Sequence, residues 1–315
     1  TSKEEGNLVA FSGPDFKATF DKQSGLLTSY LYKKHEYILN GQGPRPFFWR
    51  APTDNDYGAN LPVRLKAWKE ASYQEPKAES FQVTPGSNAT TVKVTYRFPQ
   101  TYARWDITYK IYASGIIKVD NRFMAEGDQA PMIPRVGLRM QLPESFTDLT
   151  YYGRGPKENY RDRRTSQFIG EYAIPVKDMY EPYVRPQENN HRTDIYWCAL
   201  TDKTQRGLLL IADRTFELNA SNYPLESMDS GDTIDNGAPR TEKTHHRHLT
   251  DPLPEKMVDL FIDYRMMGVG GDDSWGATAH EPYLIRPGKE NAIEYGFTLV
   301  PFDKKEDYKY LIRQY

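Results

Sequence analysis

The run Val92-Lys93-Val94-Thr95-Tyr96-Arg97-Phe98 alternates apolar and polar residues with a strict period of two. That period puts every apolar side chain on one face of an extended chain, so the segment reads as a half-buried strand. Asp106–Tyr112 alternates in the same way and is rich in β-formers. With Val92–Phe98, the stretches Ala103–Ala113 and Gly115–Met124 predict a meander, in which Ser114-Gly115 is a two-residue turn. Phe16–Phe20 and Leu26–Tyr32 flank Lys22-Gln23-Ser24-Gly25 and predict a hairpin. Further strands are expected at Arg135–Leu142, Gly207–Ala212, Met257–Ile262 and Ala292–Leu299. Helix signals are confined to Pro62–Tyr73, where Leu65, Trp68 and Ser72 share one side, and to a charged turn within Asp303–Tyr315. There is no internal repeat, heptad or low-complexity linker. So many strands in 315 residues predict a single all-β domain over 1–315, built as two large, mainly antiparallel sheets packed face to face.

A formal net charge of −2 argues against a nucleic-acid or anionic-membrane partner. No apolar run reaches the ~18 residues that a membrane span needs. Cys198 is the single cysteine, so no intrachain disulfide is possible, and within Tyr196–Leu200 it reads as a packed apolar residue. The 23 tyrosines outnumber the 14 phenylalanines, which suits strands with one wet face and also surfaces that bind polyols. The chain opens on Thr1, as a processed product or an excised fragment would. The cytoplasm and the periplasm therefore both stay open.

Long segments without strand periodicity lie at Asn40–Asn60, Tyr151–Arg164, Pro175–Asp194 and Asn219–His245. Loops beyond about 12–15 residues are uncommon unless they are functional or disordered. These are rich in Arg, Asp, Glu, Asn and Tyr, so they read as ordered binding surfaces. Gly268–Trp275, GVGGDDSW, sets three glycines and the acids Asp272 and Asp273 before a tryptophan. Such a turn suits a flat indole laid against the C–H face of a sugar, and equally a core-facing tryptophan. Asp54, Asn55 and Asp56 hint at a calcium loop, but the twelfth position from Asp54 is Leu65 where a bidentate Glu is needed, so turn capping is expected instead. His245, His246 and His248 lack a nearby acid or cysteine to complete a metal site.

Four ordered segments carry a resemblance: RAPTDND at Arg50–Asp56, continuing into Tyr57-Gly58; YYGRGPKENYRDR at Tyr151–Arg163; YVRPQENNHR at Tyr183–Arg192; and MGVGGDDSW at Met267–Trp275. In this order they resemble the C-terminal domain, or separate small chain, of the bacterial β-galactosidases of glycoside hydrolase family 2. The resemblance spans essentially the whole chain. It implies a supersandwich like that of the galactose mutarotases. It also implies that the two catalytic carboxyl groups of a retaining glycosidase sit on a (β/α)₈ barrel elsewhere in the parent. No catalytic residue is therefore assigned here.

By the same resemblance Trp275 is the substrate-binding residue. Asp54, Asn55, Asp56 and Gly58 belong to a mobile loop near the active-site mouth, with Gly58 as its hinge. Arg50 is expected to pair with a nearby acid, and Asp272 and Asp273 to brace their turn. Arg154, Glu158, Glu188, His191 and Arg192 are expected on the polar floor of a concave cleft. In mutarotases a His and a Glu transfer protons there, so His191 and Glu188 are candidates by location. Relative to better-known members, Arg185 and Asn190-His191 are departures that set polar groups beside that cleft. Expected partners are the barrel and other domains of the parent and a galactoside substrate, in a parent whose homo-oligomeric state is open. No cofactor is expected in this domain, while Mg²⁺ and Na⁺ are possible in the full enzyme. A free-standing aldose epimerase and a non-catalytic carbohydrate-binding module are the rival readings. The tail Asp303–Tyr315 is expected to cap a sheet edge.

Overall fold

The computed structural model describes residues 1–127, 130–230, 248–273, 276–288, 291–304 and 306–314. β1 (Ser2–Glu5), β2 (Leu8–Ser12), β3 (Phe16–Asp21), β4 (Leu27–Tyr32) and β5 (His35–Glu36) form a five-stranded meander. β6 (Arg45–Phe47) leads into three short helices, α1 (Asp54–Gly58), α2 (Leu61–Arg64) and α3 (Lys66–Tyr73). β7 (Ser80–Thr84), β8 (Ala89–Phe98), β9 (Ala103–Tyr112) and β10 (Ile117–Ala125) make the second meander. β11 (Arg135–Pro143), β12 (Asp148–Gly155), β13 (Phe168–Pro175), β14 (Arg192–Thr201), β15 (Gly207–Ser221), β16 (Met257–Met266) and β17 (Ile293–Phe302) complete a twelve-stranded sheet, and α4 (Tyr308–Ile312) follows. Among the described residues every strand pairing is antiparallel.

The predicted strands are all present, and their alternation is the reason. Along β10 the burial pattern switches at every residue, with Ile117, Val119 and Phe123 inside and Lys118, Asp120 and Arg122 towards solvent. The β9–β10 turn holds three residues rather than two, because Tyr112 still pairs with Ile116 and Gly115 takes φ +90°. β15 runs on from Ala212 to Ser221. Its first half, Gly207–Ala212, pairs with β17, and its last five residues pair with β16. Residues 213–216 pair with neither, and the exposed Asp213 and Arg214 stand there. The large layers are therefore two branches of one forked sheet rather than separate sheets.

Side chains from both branches and from the five-stranded sheet enter one buried core. Phe20 meets Tyr109 edge-on at 5.1 Å between ring centres, and the Tyr30 hydroxyl donates to the Gly115 carbonyl at 2.5 Å. Leu65, Trp68 and Ser72 are buried as their spacing predicts, but Leu65 (φ −111°, ψ 16°) separates α2 from α3 instead of lying inside one helix. Trp68 packs on Phe48 at 4.9 Å, which anchors the helical segment beside β6. The tail reaches the edge strand β13 through the Lys309–Glu171 pair at 2.7 Å and otherwise lies across the face of the sheet. Tyr308, Leu311 and Ile312 cover a second apolar patch made by Trp197, Ile211 and Phe302, which lie on the adjacent strands β14, β15 and β17. Cys198 is buried on β14, where burial raises its thiol pKa.

Candidate functional site

The residues expected in a mobile loop, Asp54, Asn55, Asp56 and Gly58, all lie in the helix α1. Thr53 Oγ1 accepts the Asp56 N–H at 3.1 Å, and Asp56 Oδ2 accepts the Thr53 N–H at 3.0 Å, which is a capping box. The Thr-x-x-Asp spacing within RAPTDND was the legible signal for it. Asp56 has a second task. Its carboxylate takes a two-point fork from Arg50, with Nε–Oδ2 at 2.9 Å and Nη2–Oδ1 at 2.8 Å, in a pair that is almost wholly buried. Arg50 is thus paired as expected, while Asp56 lies inside the protein and is unable to meet a ligand. Asp54 and Gly58 remain exposed, and Asn55 is half-buried.

Arg50 also carries α1 to the glycine-rich turn. Its Nη1 donates to the Met267 carbonyl at 2.7 Å and its Nη2 to the Gly268 carbonyl at 3.1 Å. Asn55 Nδ2 adds a bond to the Val269 carbonyl at 2.9 Å. From the other side, Asp162 accepts the N–H groups of Val269 and Gly270 at 3.0 and 2.8 Å. The turn is therefore held by α1 and by the second motif. Asp273 accepts the Ala277 N–H at 3.2 Å, closing the turn across its tip, and Asp272 contacts His280 on an exposed surface. Trp275, the expected substrate-binding residue, lies outside the described residues, as do His245 and His246.

The third motif meets the first two. Gln187 Nε2 donates to Asp54 Oδ2 at 3.1 Å, the Arg185 guanidinium sits 4.2 Å from the Tyr57 ring centre, and the Glu188 N–H donates to the Ala51 carbonyl at 3.1 Å. Glu158 joins the second and third motifs, accepting from Arg163 at 2.5 Å, from the Asn190 N–H at 2.8 Å and from the Tyr183 hydroxyl. Arg154 pairs with Asp194 at 2.8 Å and donates to the Gln167 carbonyl. All four motifs thus converge, although the longest gap between their bonded residues is 218 positions.

Beneath this convergence lies a buried polar network. His191 contacts Asn219 through Nδ1 at 2.6 Å and Glu217 through Nε2 at 2.9 Å. Glu217 also accepts from Arg161 Nε at 2.7 Å and the Met266 N–H at 2.8 Å. Asn219 donates to Glu188 at 2.9 Å and accepts from Arg135 at 3.0 Å. Arg135 lies 3.2 Å from Asp263, an ion pair not aligned as a hydrogen bond. Burial raises the Asp263 carboxyl to about 7 despite the pull of Arg135. Burial opposes charge on His191, but its hydrogen bond to Glu217 and that acid's charge hold its pKa above the ordinary imidazole value.

This network corrects the expected cleft floor. Glu188, His191 and Arg192 are buried, and Arg192 is spent on the Tyr151 hydroxyl and the Asn190 carbonyl. None of the three presents a surface to a sugar, so an epimerase using His191 and Glu188 has no accessible acid or base. Arg135, Glu217, Asn219 and Asp263 were missed in the sequence. Arg135 stood at the start of an expected strand, but Glu217, Asn219 and Asp263 lay beyond strands that were expected to stop at Ala212 and Ile262.

A family model described as the β-galactosidase small chain matches residues 12–299. A β-galactosidase of Priestia megaterium is 33% identical over 285 residues, covering 90% of this chain and 26% of that protein. One from Halalkalibacterium halodurans is 30% identical over 294 residues, covering 92% and 27%. The chain thus spans about a quarter of the length of these curated relatives. Among solved structures, a TPR-domain containing protein from Parabacteroides distasonis superposes with a TM-score of 0.51 at 12% identity, covering 95% of this chain and 48% of that one. A putative aldose 1-epimerase from Escherichia coli gives 0.49 at 10% identity, covering 93% and 98%. The motifs brought together above, and a family match over nearly the whole length, make this chain a member of the β-galactosidase small-chain family.

Proposed function

We propose that the chain is the C-terminal part of a family 2 β-galactosidase and that it presents the Gly268–Trp275 turn and α1 to an active site whose catalytic carboxyl groups lie on another part of the parent. The observation that carries this reading is the bracing of the turn. Arg50 and Asn55 hold its carbonyls while Asp162 holds its N–H groups. A binding surface on a rigid support keeps its geometry when substrate arrives, which is worth more than a flexible contact. In this reading Trp275 offers its indole to the sugar, the other domains of the parent are the partners, and any Mg²⁺ or Na⁺ belongs to them.

The test is complementation. The purified chain alone is expected to leave a chromogenic β-galactoside intact, and mixing it with the complementary fragment is expected to restore hydrolysis. In that assembly Trp275→Ala should raise KM at least tenfold. Hydrolysis by the chain unaided, or an unchanged KM in the variant, would overturn the reading.

A further inference from the structure

The fork of the large sheet opens a cleft of about 930 Å³, within the ~300–1,000 Å³ of small-molecule sites. Its two flanks differ in charge. On one, cations and anions cancel: Lys118 lies 2.9 Å from Asp120 and 2.6 Å from Asp213, and Arg122 lies 3.0 Å from Glu294. On the other stand Arg161, Arg214 and Arg265. Arg161 is tied through Nε to Glu217. Arg214 is exposed at the point where β15 leaves β17 and has not yet joined β16. The Arg265 guanidinium lies 5.0 Å from the Tyr264 ring centre. Among the described residues neither Arg214 nor Arg265 meets a carboxylate, and the Arg265 Nε is buried without a hydrogen-bond partner.

We propose that this cleft binds an acidic saccharide, with its carboxylate held by Arg214 and Arg265. A guanidinium presents a planar fork of donors that matches a carboxylate, and the exposed Arg214 and partly exposed Arg265 offer theirs without a competing carboxylate among the described residues. A compact polyanion fits less well, because Asp213 stands next to Arg214 and would repel it. A sugar spreads one negative charge over a body of hydroxyls. Thr108, Thr215 and Asn291 line the cleft to exchange hydrogen bonds with these, and the acids of the neutral flank accept their protons. The choice of a saccharide rests on the proposed function, whereas the anion preference rests on the two arginines alone.

The experiment is calorimetric titration of the full-length parent with galacturonate, with neutral galactose and with inorganic sulfate. Galacturonate is expected to bind at least tenfold more tightly than galactose. Arg214→Ala and Arg265→Ala are each expected to weaken it at least tenfold. Arg214 is on the surface, so its variant tests the site even if Arg265→Ala unfolds. The proposal is overturned if the acidic and neutral sugars bind alike, if Arg214→Ala leaves binding unchanged, or if sulfate binds as tightly as the sugar acid. Neither monosaccharide has a glycosidic bond to cleave, so the heat reports binding alone, and failure of the proposed galactosidase function would show separately in the activity of the unmodified parent.

Discussion

Gly276 passes Gly58 so closely that a Cβ built on it would stand 2.4 Å from the Gly58 carbonyl oxygen. Gly276 also holds φ +106°, where side chains are rarely tolerated. The first motif therefore touches, through bare backbone, the residue that follows the fourth. Gly58 closes α1, and a Cβ there would find only ordinary contacts of 3.5 Å with Gly276.

Gly276→Ala should therefore cost about 1–3 kcal/mol, through strain and the backbone clash. Gly58→Ala should change stability by less than about 1 kcal/mol. Denaturant unfolding of the two variants measures the contrast, and equal losses would show that the close approach is not held in solution.

Arg50→Ala should destabilise the chain by about 3–5 kcal/mol, because it leaves the Asp56 carboxylate buried without its partner. Arg50→Lys should recover little of this. One ammonium is unable to reproduce the fork to Asp56 together with the bonds to the carbonyls of Met267 and Gly268. Urea midpoints of both variants decide the matter, and a lysine variant as stable as the parent sequence would contradict it.

Asp162 acts on the turn through two backbone N–H groups and is expected to be a positioning residue. In the assembled enzyme Asp162→Ala should raise KM for a β-galactoside several-fold with a smaller change in kcat. Asp162→Asn keeps one acceptor oxygen and should fall between. A purely structural role would instead lower the amount of folded enzyme and leave KM unchanged, which steady-state kinetics would reveal.

The contribution of Asp263 to stability should decline as pH rises from about 4 to about 7. The native state keeps the Asp263 proton up to about 7, whereas an unfolded aspartate releases it near pH ~4, so ionisation of the buried carboxyl costs stability across that window. His191 acts in the same direction. Its raised pKa contributes stability that is present below about 6.5 and is lost as pH rises through its folded value. Asp263→Asn should flatten the lower part of the profile in thermal melts between about pH 4 and 9. An unaltered slope in that variant would place the titration elsewhere.

Strands with one wet face were legible in part: β12 alternates too, but from Tyr151 it was read as a segment without strand periodicity, and β2 was not expected. β8, β9 and β10 were read because their apolar residues recur at every second position, although Thr95 and Asp106 on the polar face are buried against each other. The second half of β15 escaped notice because Asp213 and Arg214 interrupt the pattern at the fork, after which Glu217 and Asn219 are polar and yet buried. α1 escaped because five residues are too short for helical periodicity to register, although its capping box was written in Thr53 and Asp56. Asp54 and Asp56 look alike in the sequence, but one is exposed and the other sealed against Arg50.

The sequence by itself determined the β class, the single cysteine's apolar setting and the family, because strand alternation and ordered motifs are properties of neighbouring residues. Only the tertiary structure decided which acids and bases stay reachable. Burial depends on what crosses above a side chain, and here the crossing partners come from far along the chain: Asn219 over His191, Met267 and Gly268 over Arg50. That is why His191 and Glu188 became supports rather than proton carriers, and why two arginines were left facing an open cleft where the sheet divides.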